Sequence, residues 1–156
     1  TTEIYTLSLH DALPILSVQT NATVLNSRIK ELLQQTQFHI NISIDSLQPE
    51  RYAYIRKNAS LEKTLENIRW FREYCRSKNT FFGISVCAMK DNRDELPDFI
   101  RFCNEMECPV YFHTVVFPHV HSLRSLSNEE LLQAIQHLQQ QELPLNTAIE
   151  KQNAQH

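Results

Sequence analysis

Ile40, Ile42 and Ile44 alternate with Asn41, Ser43 and Asp45, a period of two that a strand can bury on one side and a helix cannot use. The segments on either side repeat every three to four residues instead, as helices do. This switch recurs about every thirty residues along the chain, and it constrains the fold more than any single motif. Leu16 to Gln19 reads as a first strand, followed after Thr20-Asn21 by Val24, Leu25, Ile29, Leu32 and Leu33 at helical spacing. After the isoleucine strand, Pro49 suits the first turn of a short helix through Arg56. Ser60 is placed to cap a longer helix that turns Leu61, Leu65, Ile68, Phe71 and Cys75 inward, with Trp70 and Tyr74 widening the apolar face. Phe81 to Met89 reads as a third strand, and a helix from about Glu95 carries Leu96, Phe99, Ile100, Cys103 and Met106 on one stripe, with Pro97 in its first turn. Val110 to Val116 supplies a fourth strand. Ser127 with Glu130 forms a capping box for a last helix through about Gln141, which Pro144 stops. Beyond it, Lys151 to His156 is polar and shows no cap or closing element.

Strands separated by whole helices cannot pair as hairpins, so the pattern predicts an α/β fold of about four parallel strands with flanking helices and right-handed crossovers. Either an open doubly wound sheet or part of a (β/α) barrel satisfies it. The strand faces bear on the choice. Strands buried on both sides of a parallel sheet should be apolar throughout. Here Asn41, Ser43 and Asp45 share one face of their strand, and Ser85 and Cys87 share one face of the next. A barrel interior that holds a ligand explains this, and so does a packed interior in which these groups satisfy one another.

Composition narrows the function without naming it. The chain of 156 residues is 42% apolar and 21% charged, which fits one globular domain. Its net charge of -3 is mixed along the sequence, so neither a nucleic-acid groove nor an anionic membrane surface is expected as a partner. No apolar run is long enough to span a bilayer and no secretory signal is visible, so a reducing cytoplasm is the expected location. Gly83 is the only glycine, which leaves no Gly-rich phosphate cradle.

Ile42-Ser43-Ile44-Asp45-Ser46, followed by Glu50, Tyr52, Ile55-Arg56, Ser60-Leu61-Glu62-Lys63 and Asn67-Ile68, resembles the middle of a radical S-adenosylmethionine (SAM) core domain. Thr20-Asn21-Ala22 is similar to that family's Thr-Asn-Gly strand end, and Met89 through Asn92 with Glu95-Leu96 is similar to its next strand end and helix start. Ala22 departs from the usual glycine, at a cost of about 1 kcal/mol if the backbone there is left-handed. The resemblance runs from Leu16 to about Val116 and implies a partial (β/α) barrel. It also implies chemistry in which a [4Fe-4S] cluster cleaves SAM to a 5'-deoxyadenosyl radical that takes hydrogen from a substrate.

A cluster of that kind needs a Cys-x3-Cys-x2-Cys loop, and the chain has none. Cys75, Cys87, Cys103 and Cys108 all read as structural, although the alternation puts Cys87, alone among them, on the polar face. The resemblance places Ser43 against SAM at the strand end and pairs Arg56 with the SAM carboxylate; Asn21, Asp45, Asn92 and His113 complete the candidate set. Each has an alternative. Arg56 could pair with Glu50 or Glu62 at the surface, Asp45 could cap the helix after Pro49, Asn92 could serve a turn, and His113 could bond a neighbouring backbone group. His119 and His121 lack a third ligand nearby and read as loop residues rather than a metal site.

Thr1 to Ile15, TTEIYTLSLHDALPI, resembles the in-frame translation of a common short-read sequencing adapter, so native sequence is expected to begin near Leu16. The expected organisation is that segment, a barrel-like part over 16–125, and a C-terminal helix with a truncated tail over 126–156. The chain then reads as an inactive fragment of a radical SAM enzyme with an unknown substrate, a peptide among the candidates. The alternative is a non-catalytic α/β module that binds a small ligand or a protein. As a fragment, its four parallel strands are expected to leave an exposed edge and an open barrel face that the missing half normally covers, and so to self-associate.

Overall fold

In a computed structural model, residues 15–155 of the chain are described. The segment expected to be foreign lies outside them except for Ile15. Among the described residues one sheet contains β1 (Leu16–Thr20), β2 (Phe38–Ser43), β3 (Phe82–Ala88) and β4 (Val110–Thr114) in sequential order, with every neighbouring pair parallel. The connections carry α1 (Ser27–Gln35), α2 (Pro49–Ile55), α3 (Leu61–Lys78) and α4 (Leu96–Glu105), and α5 (Asn128–Gln139) and α6 (Ala148–Asn153) follow the last strand. The expected α/β architecture of four parallel strands with flanking helices is therefore present, and it is consistent with a partial barrel.

The caps explain the helix boundaries. The Ser60 hydroxyl accepts the Lys63 N–H to open α3, and Asn79 closes that helix at φ 52°, a left-handed position that asparagine tolerates. Pro97 sits in the first turn of α4. Ser127 and Glu130 form the reciprocal capping box of α5. That helix ends at Gln139, before Pro144, so the proline does not itself terminate it. The polar tail was misread: Thr147 and Glu150 make a second capping box, α6 forms, and Asn153 is completely buried. Its Oδ1 accepts the Val110 N–H at 2.9 Å, and its Nδ2 donates to Asn104 Oδ1 and the Cys108 carbonyl. A polar residue closes the start of β4 because it satisfies main-chain groups that no apolar side chain could.

The core lies on the helix side of β2 and β3. Ile40, Ile42, Ile84 and Val86 are fully buried against Ile68, Phe71 and Cys75 of α3 and Phe99 and Cys103 of α4. Burial of each such aliphatic side chain contributes about 1.5–3 kcal/mol relative to exposure. Tyr74 joins the layers, since its hydroxyl donates to the Thr36 carbonyl at 3.0 Å and accepts the Phe38 N–H at 3.2 Å. β1 stands apart from this core, exposed along most of its length. No helix among the described residues is long and apolar enough to cross a membrane.

Candidate functional site

The carboxyl end of β2 runs into Ile44 and Asp45, and there the polar groups converge. Asp45 is 4% exposed. One of its carboxylate oxygens accepts Nη2 of Arg56 at 2.7 Å and the other accepts the Cys87 N–H of β3 at 3.0 Å. Arg56 caps the C-terminus of α2, which swings its side chain back over the strand end. Its partner is Asp45 rather than Glu50 or Glu62. The cap of α2 is Gln48, so Asp45 does not serve as the helix cap. Asn92 is fully buried, accepts the Met89 N–H on Oδ1 and donates from Nδ2 to the carbonyls of both Asp45 and Cys87. It thus ties the ends of β2 and β3 together.

A second network, not foreseen from the sequence, lies beside the first. Glu95 is 1% exposed, and its carboxylate accepts the Ser46 hydroxyl at 2.9 and 3.0 Å, the Leu47 N–H at 2.6 Å and an Arg51 N–H. Arg51 also holds Asp94 through two nitrogens at 2.9 and 3.1 Å. Partial burial pushes the Asp94 carboxyl up, but the Arg51 hydrogen bonds outweigh it and hold the group below its ordinary value. The signal available in the sequence was the pair Asp94-Glu95 before an apolar stripe. It reads as a helix start and gives no sign that only the second carboxylate is buried.

The face of the sheet opposite the core carries the residues between the buried ones. Asn41 Nδ2 donates to Ser85 Oγ at 2.7 Å across neighbouring strands, so part of this face is satisfied internally. Asn41 Oδ1 remains buried with no partner among the described residues. Ser43 stands opposite Ser85 in register, partly exposed, with no side-chain hydrogen bond among the described residues. A Cβ on Gly83 would lie 2.7 Å from Cζ of Phe81, so a larger residue there would push aside that partly exposed ring. His113 is exposed and pairs in register with Cys87. Asn21 is exposed after β1, where its Oδ1 accepts the Thr23 N–H and hydroxyl. The next residue, Ala22, has φ 54°, the left-handed conformation for which glycine is better suited; Asn67 of α3 anchors this turn by donating to the Ala22 carbonyl at 2.8 Å.

The structure thus brings Ser43, Asp45, Arg56, Cys87 and Asn92 together at one end of β2 and β3. His113 shares the open face in register with Cys87, and Asn21 belongs to the turn after the edge strand β1. Cys75 and Cys103 are buried in the core between their helices and the sheet, and burial pushes the Cys75 thiol up. A hydrogen bond with Cys108, together with burial, pushes the Cys103 thiol up strongly. Burial and then the nearby Asp45 carboxylate raise the Cys87 thiol as well. No group of three or more histidines, cysteines or acidic residues that could hold a metal ion occurs among the described residues. His121 hydrogen-bonds Asp91 at 2.8 Å through Nδ1 and is a loop anchor in this arrangement.

The sequence profile of the radical SAM superfamily matches residues 2–103. The chain is 29% identical over 106 residues to the GTP 3',8-cyclase of Peptoclostridium acidaminophilum, covering 68% of this chain and 32% of that enzyme. It is 28% identical over 118 residues to the GTP 3',8-cyclase of Clostridium perfringens (strain 13 / Type A), covering 74% and 35% respectively. Against the GTP 3',8-cyclase of Bradyrhizobium diazoefficiens it is 33% identical over 107 residues, covering 66% and 30%. The matched segment spans about a third of the length of these relatives.

Proposed function

This chain belongs to the radical SAM superfamily, and from that membership we propose that it is part of a radical SAM enzyme whose strand-end site contacts SAM through Ser43 and Arg56. The observation that carries the reading is the Asp45–Arg56 pair beside the unpartnered Ser43 hydroxyl at the carboxyl end of β2, where parallel α/β folds place their ligands. Asp45 engages one guanidinium nitrogen. The rest of the fork has no hydrogen-bond partner among the described residues, which suits a planar carboxylate such as that of the SAM methionine group. The Ser43 hydroxyl offers both a donor and an acceptor to a polar ligand. Asp45 acts as a positioning residue: it aims Arg56 and, through the Cys87 N–H, keeps the β2 and β3 ends level. Asn92 holds the same two ends from beneath. Asn21 and His113 border the open face, and His113 is placed to meet a substrate or the far side of SAM.

In enzymes of this kind bound SAM supplies a hydrogen-abstracting 5'-deoxyadenosyl radical. The [4Fe-4S] cluster that such enzymes use does not fit the cysteines of this chain, which lack the Cys-x3-Cys-x2-Cys spacing, so no step is assigned to them and the chain by itself is expected to be inactive.

Calorimetric titration of SAM into the 156-residue chain tests the reading, with Arg56→Ala and Ser43→Ala in parallel. Saturable binding that weakens about tenfold in Arg56→Ala supports it, since one charge-assisted contact is of that order. No binding, or binding indifferent to both substitutions, would favour the alternative of a non-catalytic α/β module.

A further inference from the structure

We infer that Cys103 and Cys108 are an oxidisable dithiol, which a small disulfide such as glutathione disulfide converts to an intrachain bridge, and that α6 gates access to it. The end of α4 builds the pair. Glu107 has a left-handed backbone (φ 50°) that turns the chain back, so the Glu107 N–H donates to the Asn104 carbonyl and the Cys108 N–H to the Cys103 carbonyl, each at 3.0 Å. Those two bonds make a Schellman turn, in which an apolar contact often joins the two residues that stand here as Cys103 and Cys108. In this chain the contact is thiol on thiol, with a hydrogen bond between them. Bond lengths across the 3.0 Å main-chain bond keep the two Cα atoms within about 7 Å, the outer reach of a disulfide.

Both side chains are buried, at 0% and 1% exposure, and a buried thiol does not meet a reagent in solution. What holds the turn closed is small. α6 spans six residues, too few to persist as a helix without support, and Asn153 is its buried residue. That one amide fastens α6 to the turn, donating to the Cys108 carbonyl and Asn104 Oδ1 while it accepts the Val110 N–H. A short segment attached at a single buried point opens at lower free energy than the core. With α6 raised, Cys108 gives up its proton and its sulfur attacks one sulfur of the reagent, so a mixed disulfide forms and one small thiolate leaves with that proton. Cys103 then gives up its own proton and attacks the Cys108 sulfur. The second small thiolate leaves and takes up that proton, so two electrons and two hydrogens pass from the protein to the reagent.

Intact mass and peptide mapping of the full 156-residue chain in excess glutathione disulfide read this directly. The wild type should lose about 2 Da, with the bridge mapped to Cys103 and Cys108. Cys103→Ser should stop at a single glutathione adduct on Cys108. Asn153→Ala should speed oxidation about tenfold or more, because it removes the bonds that seat α6. If that variant does not fold, Thr147→Ala carries the same test: it removes the cap of α6, leaves the buried amide in place and should speed oxidation about fivefold. Thiols that stay reduced throughout, a wild-type product that ends as a glutathione adduct, or a bridge to Cys75 or Cys87 overturns the inference. A rate indifferent to both α6 substitutions overturns the gate. SAM enters none of these readouts, so the dithiol and the proposed function stand or fall separately.

Discussion

Two arginine–carboxylate pairs stand side by side at the strand ends, and the protein treats them differently. Arg51 and Glu95 form a closed set: the carboxylate is buried and receives a hydroxyl, a main-chain N–H and a guanidinium, while the arginine also holds Asp94. Arg56 and Asp45 form an open set: the carboxylate is buried, but the arginine side chain is 31% exposed and donates to it through a single nitrogen. A closed set has no capacity left for a ligand and works as a joint between the β2–α2 and β3–α4 connections. An open set keeps donors in reserve. The same two residue types are therefore fully engaged in one place and only partly engaged in the other, and the distinction rests on how many of their groups are already bonded.

Four substitutions test that distinction. Glu95→Ala should have the largest effect, about 3–5 kcal/mol, because it leaves Arg51 and the Leu47 N–H facing an emptied buried position; a drop in the urea midpoint with an unchanged slope measures it. Asp45→Ala should cost about 1–3 kcal/mol in the same assay, mainly through the unsatisfied Cys87 N–H. Arg56→Ala should cost less than about 1 kcal/mol, as expected of a partly exposed cation, while weakening the proposed SAM binding about tenfold. A stability loss for Arg56→Ala as large as that for Glu95→Ala would erase the difference between the sets. The smallest effect concerns acid. Arg51 holds the Asp94 carboxyl below its ordinary value of 3.8, so the stability it contributes is present above that pH and is lost as pH falls through the lower folded value. Asp94→Asn should flatten this part of the acid-denaturation profile, whereas wild-type behaviour in the variant would show that the outer carboxylate plays no part in the joint.

Much of the scaffold was legible because it follows local rules. The period-two isoleucines, the Ser60 and Ser127 caps and Pro97 in a first turn all depend on neighbours a few residues away. So does the cost at Ala22, where the left-handed backbone inferred from the missing glycine is present. The site was legible in part. Ser43, Asp45 and Arg56 were named from a resemblance, yet the bond between Asp45 and Arg56 was not, because it depends on where α2 ends and how Arg56 turns back. Glu95 and Asn153 were missed for a related reason. A charged or amide side chain in a polar stretch gives no sign of burial unless the main-chain groups it will satisfy are known, and those lie 48 residues away for Leu47 and Glu95 and 43 for Val110 and Asn153.

The amide of Asn92 has a mechanical consequence. It grips the carbonyl after β2 with one hydrogen bond and the carbonyl closing β3 with another, while its own oxygen fastens the turn that follows. The two strand tips therefore behave as a single stiff lever. Force applied to Arg56 reaches Asp45, passes to the Cys87 main chain and loads β3 together with β2, so a ligand seated there would find a floor that moves as one piece.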